Sequence, residues 1–411
     1  MYICRLFSGL AKSLQTRNWD PQGVPTVYKL LEALDRSDDD LQLVFTVKDN
    51  GAGWKYKKTM TIPVQGLRNP VTVIPEGVAR LAGYEHKSGY LRELLQYFQV
   101  QRLLGKFQPD LVYFDRVNVY LAAIAAHRGK VPIVWRIMGI PPAMHDAMEE
   151  TGLVARITRW AYRAPFSMVL CSQDGSGGEQ WMNKALAQHT PRKILINGAD
   201  YASEDPIPTQ MRILLSRSKT NVLFVSRFVK NKGCRVFIRA ACALLDRAPD
   251  KFSFFMVGGG PCEEQMRRLV KDSSKSENIH FLGEQPHRYI ASIQKACDIY
   301  VSLNQMCNLT NANLEAMRSG ACMIIPSSPG IRGIDVDTDR LVPQECVWRL
   351  TAYDDIDGLV DALLYLHNNP DQRKLRSQLT EANASKIIPV WAERIQTELD
   401  LLHGLAAKEI T

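Results

Sequence analysis

Residues 221–246 of the chain read NVLFVSRFVKNKGCRVFIRAACALLD. The run Asn221–Ser226 is short, apolar and rich in β-branched residues, which predicts a buried strand. A polar turn follows and closes at Gly233, and residues 234–246 place apolar side chains at helical spacing. This strand–turn–helix unit is typical of an α/β architecture with a parallel sheet.

The same rhythm runs along most of the chain. Further strands are predicted at Leu41–Val47, Asp110–Phe114, Val131–Ile137, Ser167–Cys171 and Lys193–Ile196, and then at Phe252–Val257, Ile279–Leu282, Ile299–Leu303 and Cys322–Ile325. Helices are predicted at Thr26–Leu34, Leu91–Leu104, Tyr120–His127 and Leu153–Tyr162, and at about 262–272, 287–296, 312–319 and 390–402. The stretch Tyr201–Thr209 carries Pro206 and Pro208 and is typical of a linker. Two similar Rossmann-like domains facing a cleft are therefore expected.

Composition excludes several classes of protein. The 411 residues are 45% hydrophobic and 23% charged, which is ordinary for a globular protein and not for a disordered chain or coiled coil. No apolar run approaches the ~20 residues that span a bilayer, and the first residues do not form a signal peptide. The nine cysteines show no zinc-ligand spacing, which favours reduced thiols in the cytoplasm.

Charge is unevenly distributed. Residues 1–200 hold 25 Lys and Arg against 18 Asp and Glu, a net +7, whereas residues 201–411 hold 26 against 25, a net +1. A basic half is compatible with a phosphate-bearing substrate or an anionic membrane surface, and also with chance. Basic residues do not cluster densely with aromatic ones, so a nucleic-acid partner is not expected.

Two cations lie in the turn that follows the first quoted strand. Arg227 and Lys232 are five residues apart in the segment SRFVKNKG, which ends at Gly233. Cations at the carboxyl edge of a parallel sheet are suitably placed to bind a diphosphate. Taken alone, the same residues could form a solvated basic turn.

A glycine-rich turn follows the next strand. Val257–Pro261 reads VGGGP, and glycines there allow a backbone to approach a ligand closely, although a simple tight turn has the same composition. The spacing is not G-x-G-x-x-G, which argues against a nicotinamide-dependent dehydrogenase. Further on, Ile279–Gly283 (IHFLG) is a strand that ends at a glycine, and the residues after it could contact a base.

The segment Cys307–Gly320, CNLTNANLEAMRSG, predicts a loop and a helix. Thr310 or Asn311 can cap this helix, whose free amides and dipole would attract an anion. Glu315 lies one turn inside, where its carboxylate could accept hydrogen bonds from ribose hydroxyls or simply stabilise the first turn.

In combination and order, these segments resemble the retaining glycosyltransferases of family 4, which have the GT-B fold. That family reads roughly G-R-x-x-x-x-K-G, V-G-x-G-P, F-L-G and E-x7-E-A-M-x-x-G, and the resemblance covers essentially the whole chain. In the first half, Pro21–Leu34 resembles the family's glycine loop and first helix, and Pro109–Phe114, Val131–Gly139 and Lys193–Asp200 resemble later elements. Near the end, Pro389–Arg394 is similar to the terminal helix that crosses back to the first domain.

The resemblance implies an acceptor-binding domain at 1–205 with the C-terminal helix 386–411, and a nucleotide-sugar-binding domain at 206–385. Arg227 and Lys232 would hold the diphosphate and stabilise the leaving group, and Glu315 would hold the ribose. Gly23 and Gly258 would allow close approach to the donor. The loop residues Asn308, Leu309, Thr310 and Asn311 would face phosphate and sugar. A hexosyl unit would pass to a carbohydrate or lipid-linked acceptor, in surface polysaccharide or glycoconjugate biosynthesis, without cofactor or metal.

Two positions depart from the family pattern. Cys307 stands where the family has the first Glu of E-x7-E, and Met138 stands where it often has His. Asn308 or Asn311 could replace the former, and Arg136 or His145 the latter. These departures also admit an inactive sugar-nucleotide-binding protein, and the architecture admits a GT-B epimerase.

Two acidic runs could be mistaken for metal sites. Residues 38–40 are consecutive aspartates, and they are interpreted as a solvated turn. Asp335, Asp337 and Asp339 alternate in a polar loop, where a metal role is not expected.

The helix Leu153–Arg163 (LVARITRWAYR) places Arg156, Arg159 and Arg163 at helical spacing beside Trp160. A basic helix with aromatic anchors can bind an anionic membrane, although an ordinary surface helix has the same pattern. A cytoplasmic protein with weak contact to the inner membrane face is expected.

Overall fold

The computed structural model describes residues 1–37, 39–48, 53–56, 58–75, 80–81, 84–85, 89–115, 117–201, 207–215, 218–273, 275, 277–328 and 335–407. The chain divides into two compact units. The first contains Met1–Ser172, Gly178–Leu195 and Ala392–Thr411, and the second contains Gln173–Gly177 and Ile196–Trp391. Within the ranges described, no helix is both long and apolar enough to cross a membrane.

The elements alternate between strand and helix along the chain. The strands are β1 (Tyr2–Arg5), β2 (Leu43–Val47), β3 (Met60–Ile62), β4 (Val71–Pro75), β5 (Arg80–Leu81), β6 (Tyr84–Glu85), β7 (Val112–Asp115), β8 (Ile133–Ile137), β9 (Met168–Gln173), β10 (Arg192–Ile196), β11 (Thr220–Val225), β12 (Phe252–Val257), β13 (Ile279–Gly283), β14 (Ile299–Val301), β15 (Met323–Pro326) and β16 (Trp348–Leu350). The helices are α1 (Ser8–Thr16), α2 (Pro25–Arg36), α3 (Gly89–Phe107), α4 (Val119–Arg128), α5 (Pro142–Glu149), α6 (Leu153–Tyr162), α7 (Gly178–Ala185), α8 (Thr209–Leu214), α9 (Cys234–Arg247), α10 (Glu263–Asp272), α11 (Ile290–Ala296), α12 (Asn311–Arg318), α13 (Thr338–Leu341), α14 (Ile356–Asn368), α15 (Pro370–Ile387) and α16 (Trp391–Ala406).

The main sheet of the first unit has the order β10-β9-β8-β7-β1-β2-β4-β3. From β9 to β4 the neighbouring strands pair in parallel, and β3 adds an antiparallel edge to β4. Residues of α16 belong to this unit, which confirms the expected return of the C-terminal helix.

The second unit contains a parallel sheet with the order β13-β12-β11-β14-β15-β16. Successive side chains of a strand point to opposite faces, and β11 shows the result. Val222 and Phe224 pack into one buried apolar cluster with α9 and α14, whereas Leu223 packs into another with α12. Because both faces are covered, the strands are apolar throughout, which is the pattern of a parallel α/β sheet.

Most predicted strands and helices are present with small shifts at their ends. Phe252–Val257 and Leu153–Tyr162 match residue for residue. The strands that were not predicted are β1, β3, β4, β5, β6 and β16, and the helices that were not predicted are α1, α5, α7, α8, α13, α14 and α15. Of the predicted linker, residues 202–206 lie outside the described residues, and α8 begins at Thr209. Asp38 of the acidic turn also lies outside them.

The bounds of the two units differ from the domain bounds predicted from the sequence, which were 1–205 and 206–385. Residues 173–177 and 196–201 pack within the second unit. The amide of Ala199 donates to the carbonyl of Pro389 at 3.0 Å, and the amide of Trp391 donates to the carboxylate of Asp200 at 3.0 Å. These bonds hold the segment that follows β10 against the segment that precedes α16.

Candidate active site

The candidate site lies where the strand order of the second unit reverses. Strands β11, β12 and β13 run to one side of the sheet, and β14, β15 and β16 run to the other. In open parallel sheets, ligands bind at the carboxyl ends of the strands at such a reversal. Two loops leave the sheet there, residues 226–233 after β11 and residues 302–310 after β14. The amide of Gln305 donates to the carbonyl of Asn231 at 3.0 Å and joins them.

Arg227 and Lys232 are both on the first of these loops. Lys232 ends a 3-10 turn (Lys230–Lys232), and Gly233 then takes a φ of +71° before α9 begins. The Arg227 side chain is exposed and that of Lys232 is partly buried. Among the described residues, neither charged group has a hydrogen-bond or ion-pair partner. The loop therefore presents two positive charges that no described residue pairs with directly.

The electrostatics of Lys232 reflect this position. Burial lowers its pKa and the Arg227 charge lowers it further, whereas the Asp174 carboxylate acts in the opposite direction. A bound anion would stabilise the charged form of Lys232, and this would offset both the cost of its burial and the repulsion from Arg227. The site is thus better suited to an anionic ligand than to water alone.

The loop after β14 leads into α12. The Thr310 hydroxyl accepts from the amide of Asn313 at 3.4 Å, so Thr310 is the N-cap, one of the two residues predicted for it. In the described structure, the amides of Asn311 and Ala312 have no acceptor. An open helix start of this kind carries a partial positive charge and can bind a phosphate.

Other residues of this loop form hydrogen bonds within the protein. The Asn308 side chain is buried and donates to the carboxylate of Asp335 at 2.7 Å. The amide of Leu309 donates to the carbonyl of Asp174 at 3.0 Å, and its side chain is fully buried. The Asn311 side chain accepts from Asn197 at 2.8 Å. The interactions of these side chains position the loop, and a contact of the loop with the donor stays a prediction.

Glu315 lies in the middle of α12 and is largely buried. One of its carboxylate oxygens lies 2.8 Å from Nε2 of His287, in the segment that follows β13. The other oxygen has no partner among the described residues. His287 therefore fixes the rotamer of Glu315 and leaves one carboxylate oxygen for a ligand.

Gly258 is required by the fold itself. It adopts a φ of +128°, and a Cβ at this position would collide with the carbonyl oxygen of Ser226. Its amide donates to the carbonyl of Gly283 at 2.9 Å. The close approach that the sequence suggested is therefore to protein backbone, and a further approach to a donor stays a prediction.

Each of the three alternating aspartates has a hydrogen-bond or ion-pair partner within the protein. Asp335 is buried and accepts from Asn308 and Thr338, and burial raises its pKa to about 6. Asp337 pairs with Arg340 at 3.3 Å, and Asp339 pairs with Arg349 at 2.7 Å. In the part of the chain that the structure describes, no group of three His, Cys, Asp or Glu residues is arranged to hold a metal ion.

The first unit carries the remaining predicted residue, Gly23. It has a φ of +98° in a loop between α1 and α2, and a Cβ added there would lie 3.4 Å from the Phe7 ring. Arg136, an alternative polar residue near Met138, is fully buried and bonded to Glu398 and Ser172. It cannot replace the family's histidine, because its guanidinium is committed to the interior.

Comparison with known proteins identifies the class of enzyme. Residues 207–386 match the family described as Glycosyl transferases group 1. The 2-deoxystreptamine glucosyltransferase of Streptomyces kanamyceticus is 23% identical over 320 residues, which are 74% of this chain and 79% of that protein. The chain is a glycosyltransferase.

Solved structures agree on the fold of this glycosyltransferase. A sucrose-phosphate synthase from Thermosynechococcus elongatus superposes with a TM-score of 0.70 at 13% identity, over 99% of each chain. The Anabaena protein HepE in complex with UDP-glucose gives a TM-score of 0.65 at 15% identity, over 98% of this chain and 99% of that one. The glycosyltransferase therefore has the GT-B fold, an α/β architecture with two Rossmann-like domains.

Two site residues of this glycosyltransferase were not predicted. His287 lies four residues after Gly283, in the segment that sequence reasoning assigned only loosely to base contact. Asp174 lies in the turn DGSGG after β9 and is packed against the loop that carries Leu309. An acid within a glycine-rich turn after a strand was a signal that could have drawn attention to Asp174.

Proposed function

We propose that this glycosyltransferase belongs to the retaining family 4 and moves a hexosyl unit from a nucleotide-diphosphate sugar to an acceptor. The observation that carries the proposal is the unneutralised pair Arg227 and Lys232 at the strand-order reversal, beside the open start of α12. Fixed cations and free amides suit a diphosphate. The fold shared with HepE, whose structure holds UDP-glucose, supports a nucleotide sugar as the ligand.

The proposed chemistry requires charge stabilisation above all. When the bond between the sugar carbon and the phosphate oxygen breaks, negative charge develops on the diphosphate. Arg227 and Lys232 stabilise that charge in place, without reorganisation at the moment of reaction. In the front-face mechanism that the resemblance implies, the departing phosphate oxygen takes the proton of the acceptor hydroxyl while the new bond forms on the same face of the sugar. The anomeric configuration is then retained.

Glu315 would bind the ribose hydroxyls through the oxygen that His287 leaves free. Backbone at Thr310 and Asn311 would contact the phosphates. The two cations and the helix start provide the positive charge that a divalent metal provides in other transferases. We therefore propose a reaction that needs no metal and no cofactor.

A donor screen tests the proposal. Thermal unfolding is measured with UDP-, GDP-, ADP- and TDP-sugars, because a ligand at about 100 times its dissociation constant adds about 2.7 kcal/mol to stability. Transfer to an acceptor then separates a transferase from the alternatives. Binding without turnover would indicate an inactive sugar-nucleotide-binding protein, and conversion of the donor without acceptor would indicate an epimerase. No stabilisation by any donor would contradict the proposal.

We further propose that the acceptor is a carbohydrate or is linked to lipid, within surface polysaccharide or glycoconjugate biosynthesis, and that the enzyme works in the cytoplasm at the inner membrane face. Helix α6 supports a peripheral contact. Leu153, Val154 and Trp160 on this helix are 71%, 51% and 43% exposed. They form an apolar stripe with Ile157, and the exposed cations are Arg156 on the same helix and Arg163 at its C-cap. Such a surface can bind anionic lipid weakly.

Arg159 does not belong to this basic surface. Its guanidinium donates to the carbonyls of Ala147 at 2.8 Å and Glu150 at 2.6 Å. These bonds tie α6 to the end of α5. Only Arg156 and Arg163 of the three predicted arginines are therefore assigned to lipid contact.

A further inference from the structure

We propose that Asp174 is a specificity-determining residue that binds hydroxyl groups of the donor sugar. This inference rests on the proposed function, and it concerns a residue from a part of the chain that the donor-binding motifs do not include. Asp174 follows β9, and it belongs to the short segment Gln173–Gly177 of the second unit.

Backbone hydrogen bonds fix this segment beside the site. The carbonyl of Asp174 accepts from the amide of Leu309 at 3.0 Å, next to the loop that begins α12. The carbonyl of Gly175 accepts from the amides of Val336 at 2.7 Å and Asp337 at 3.1 Å. Asp174 is therefore held between the loop after β14 and the loop before α13.

Only one of the two oxygens of the Asp174 carboxylate has hydrogen-bond partners among the described residues. Its Oδ1 accepts from the Ser176 amide at 3.0 Å and from the Ser176 hydroxyl at 2.5 Å. Its Oδ2 has no hydrogen-bond partner among the described residues, and the residue is partly exposed. One oxygen thus sets the orientation of the group, and the other is available to a ligand.

The charge of Asp174 acts at the candidate site. It raises the pKa of Cys307 and of Lys232, the residue assigned to the diphosphate. A carboxylate whose charge acts on the cation assigned to the diphosphate would repel a phosphate but would suit the next group along a nucleotide sugar, the sugar itself. Sugar hydroxyls donate to a carboxylate in charge-assisted hydrogen bonds.

The neighbouring Cys307 cannot take this role. Burial, followed by the Asp174 charge, raises the pKa of the thiol to about 12, so the sulfur stays neutral. A neutral thiol is a weak hydrogen-bonding group. Asp174 therefore supplies the carboxylate on this side of the site.

A purely structural reading makes Asp174 the counter-ion of Lys232, and the two roles predict different binding. Removing a counter-ion would strengthen the binding of nucleoside diphosphate and nucleotide sugar alike. Removing a residue that binds the sugar would weaken the binding of the nucleotide sugar only. The ratio of the two dissociation constants therefore distinguishes the roles.

The test uses the full chain and calorimetric titration with UDP, GDP, ADP and TDP and with the glucose conjugate of each. For the nucleotide that binds, Asp174→Asn is expected to weaken the glucose conjugate about ten- to a hundredfold relative to the diphosphate, as loss of a charged hydrogen bond implies. The matched control is Asp250→Asn. Asp250 is an exposed residue of the same unit in the turn before β12, at the amino ends of the strands, so this substitution should leave the ratio unchanged.

Ser176→Ala provides a second measurement that keeps the charge. It removes one donor that orients Asp174, so the ratio should shift in the same direction by a smaller factor. An unchanged ratio in Asp174→Asn would overturn the inference while leaving the proposed function intact. A wild-type chain that binds none of the four diphosphates would instead overturn the proposed function, and this inference with it.

Discussion

Nη1 of Arg136 lies 2.6 Å and 2.8 Å from the two carboxylate oxygens of Glu398, a residue 262 positions later in the chain. Both side chains are fully buried. Tyr113 donates to the same carboxylate at 2.6 Å, and Arg394 donates to it at 2.8 Å. Helix α16 is thus joined to β7 and β8 of the first unit by a polar network.

Glu398→Gln is expected to destabilise the protein by about 3–5 kcal/mol, because it leaves Arg136 and Arg394 buried without a counter-charge. Urea unfolding with a signal from the first unit measures this loss. Asp400→Asn, an exposed neighbour on the same helix, is the control and should change stability little.

The same network predicts a dependence on pH. Burial opposes ionisation of Glu398, but Arg136, Arg394 and Tyr113 outweigh it and hold the pKa of Glu398 below its ordinary value of 4.5. The carboxylate therefore contributes stability that is complete above pH 4.5 and is lost as pH falls through the lowered pKa. In Glu398→Gln this acid-dependent loss should be smaller, and an identical pH profile would contradict the assignment.

Arg227→Ala and Lys232→Ala should each reduce turnover about a hundredfold or more, because loss of one charge-stabilising group costs about 3 kcal/mol of barrier. Steady-state kinetics with a verified donor measures the change, and circular dichroism checks the fold. Lys230→Ala removes an exposed cation from the same turn and should retain most activity. Wild-type turnover in either site variant would show that the site is assigned wrongly.

Activity should survive EDTA, since the two cations and the start of α12 take the role of a metal. The measurement compares initial rates before and after chelation, followed by addition of magnesium or manganese. Complete loss that either ion restores would exclude the metal-free mechanism.

Glu315→Ala should weaken nucleoside diphosphate binding about tenfold or more, because a hydrogen bond to a charged group contributes about 1.5–3 kcal/mol. His287→Ala should have a smaller effect in the same direction, because it releases the Glu315 rotamer without removing the carboxylate. Pyrophosphate, which has no ribose, is the control ligand and should bind all three proteins equally. Equal losses for pyrophosphate and the nucleotide would argue against a ribose contact.

Replacing Arg156 and Arg163 together by Ser should reduce cosedimentation with anionic vesicles, measured at low and high salt. Each cation near such a surface contributes about 1 kcal/mol. Replacing Lys55 and Lys58 by Ser changes the net charge equally on exposed residues of the same unit and should have less effect. Equal binding by both double variants, or no binding of wild type at low salt, would favour a soluble acceptor.

The sequence predicted those parts of the fold in which local pattern and burial agree. Phe252–Val257 is apolar at nearly every position because both faces of the sheet are covered, and its bounds were correct. The strand Tyr2–Arg5 was missed because it ends in a charge. Arg5 is accommodated through hydrogen bonds to residues far away in the chain, among them Thr46 at 3.3 Å and Asn118 at 3.4 Å.

The candidate site was predictable to the same extent. Arg227 and Lys232 lie in the turn between β11 and α9, and the Thr310 cap lies in the loop between β14 and α12, so local sequence was enough to propose each of them. Asp174 and His287 are not, because they reach Leu309 and Glu315 from segments 135 and 28 residues away in sequence. For Gly258, the local sequence pattern predicted that a glycine is needed, but it did not predict that the group packed against it is the backbone of Ser226.

The segment Gln173–Gly177 has a consequence for engineering by domain exchange. It is encoded between two elements of the first unit, yet its carbonyls bind Leu309, Val336 and Asp337 of the second. A gene fragment cut at a single junction near residue 205 would transfer the second half of the chain without this segment. A hybrid enzyme assembled from two relatives would therefore need four junctions, after residues 172, 177, 195 and 391, so that the five residues Gln173–Gly177 come from the same parent as the start of α12.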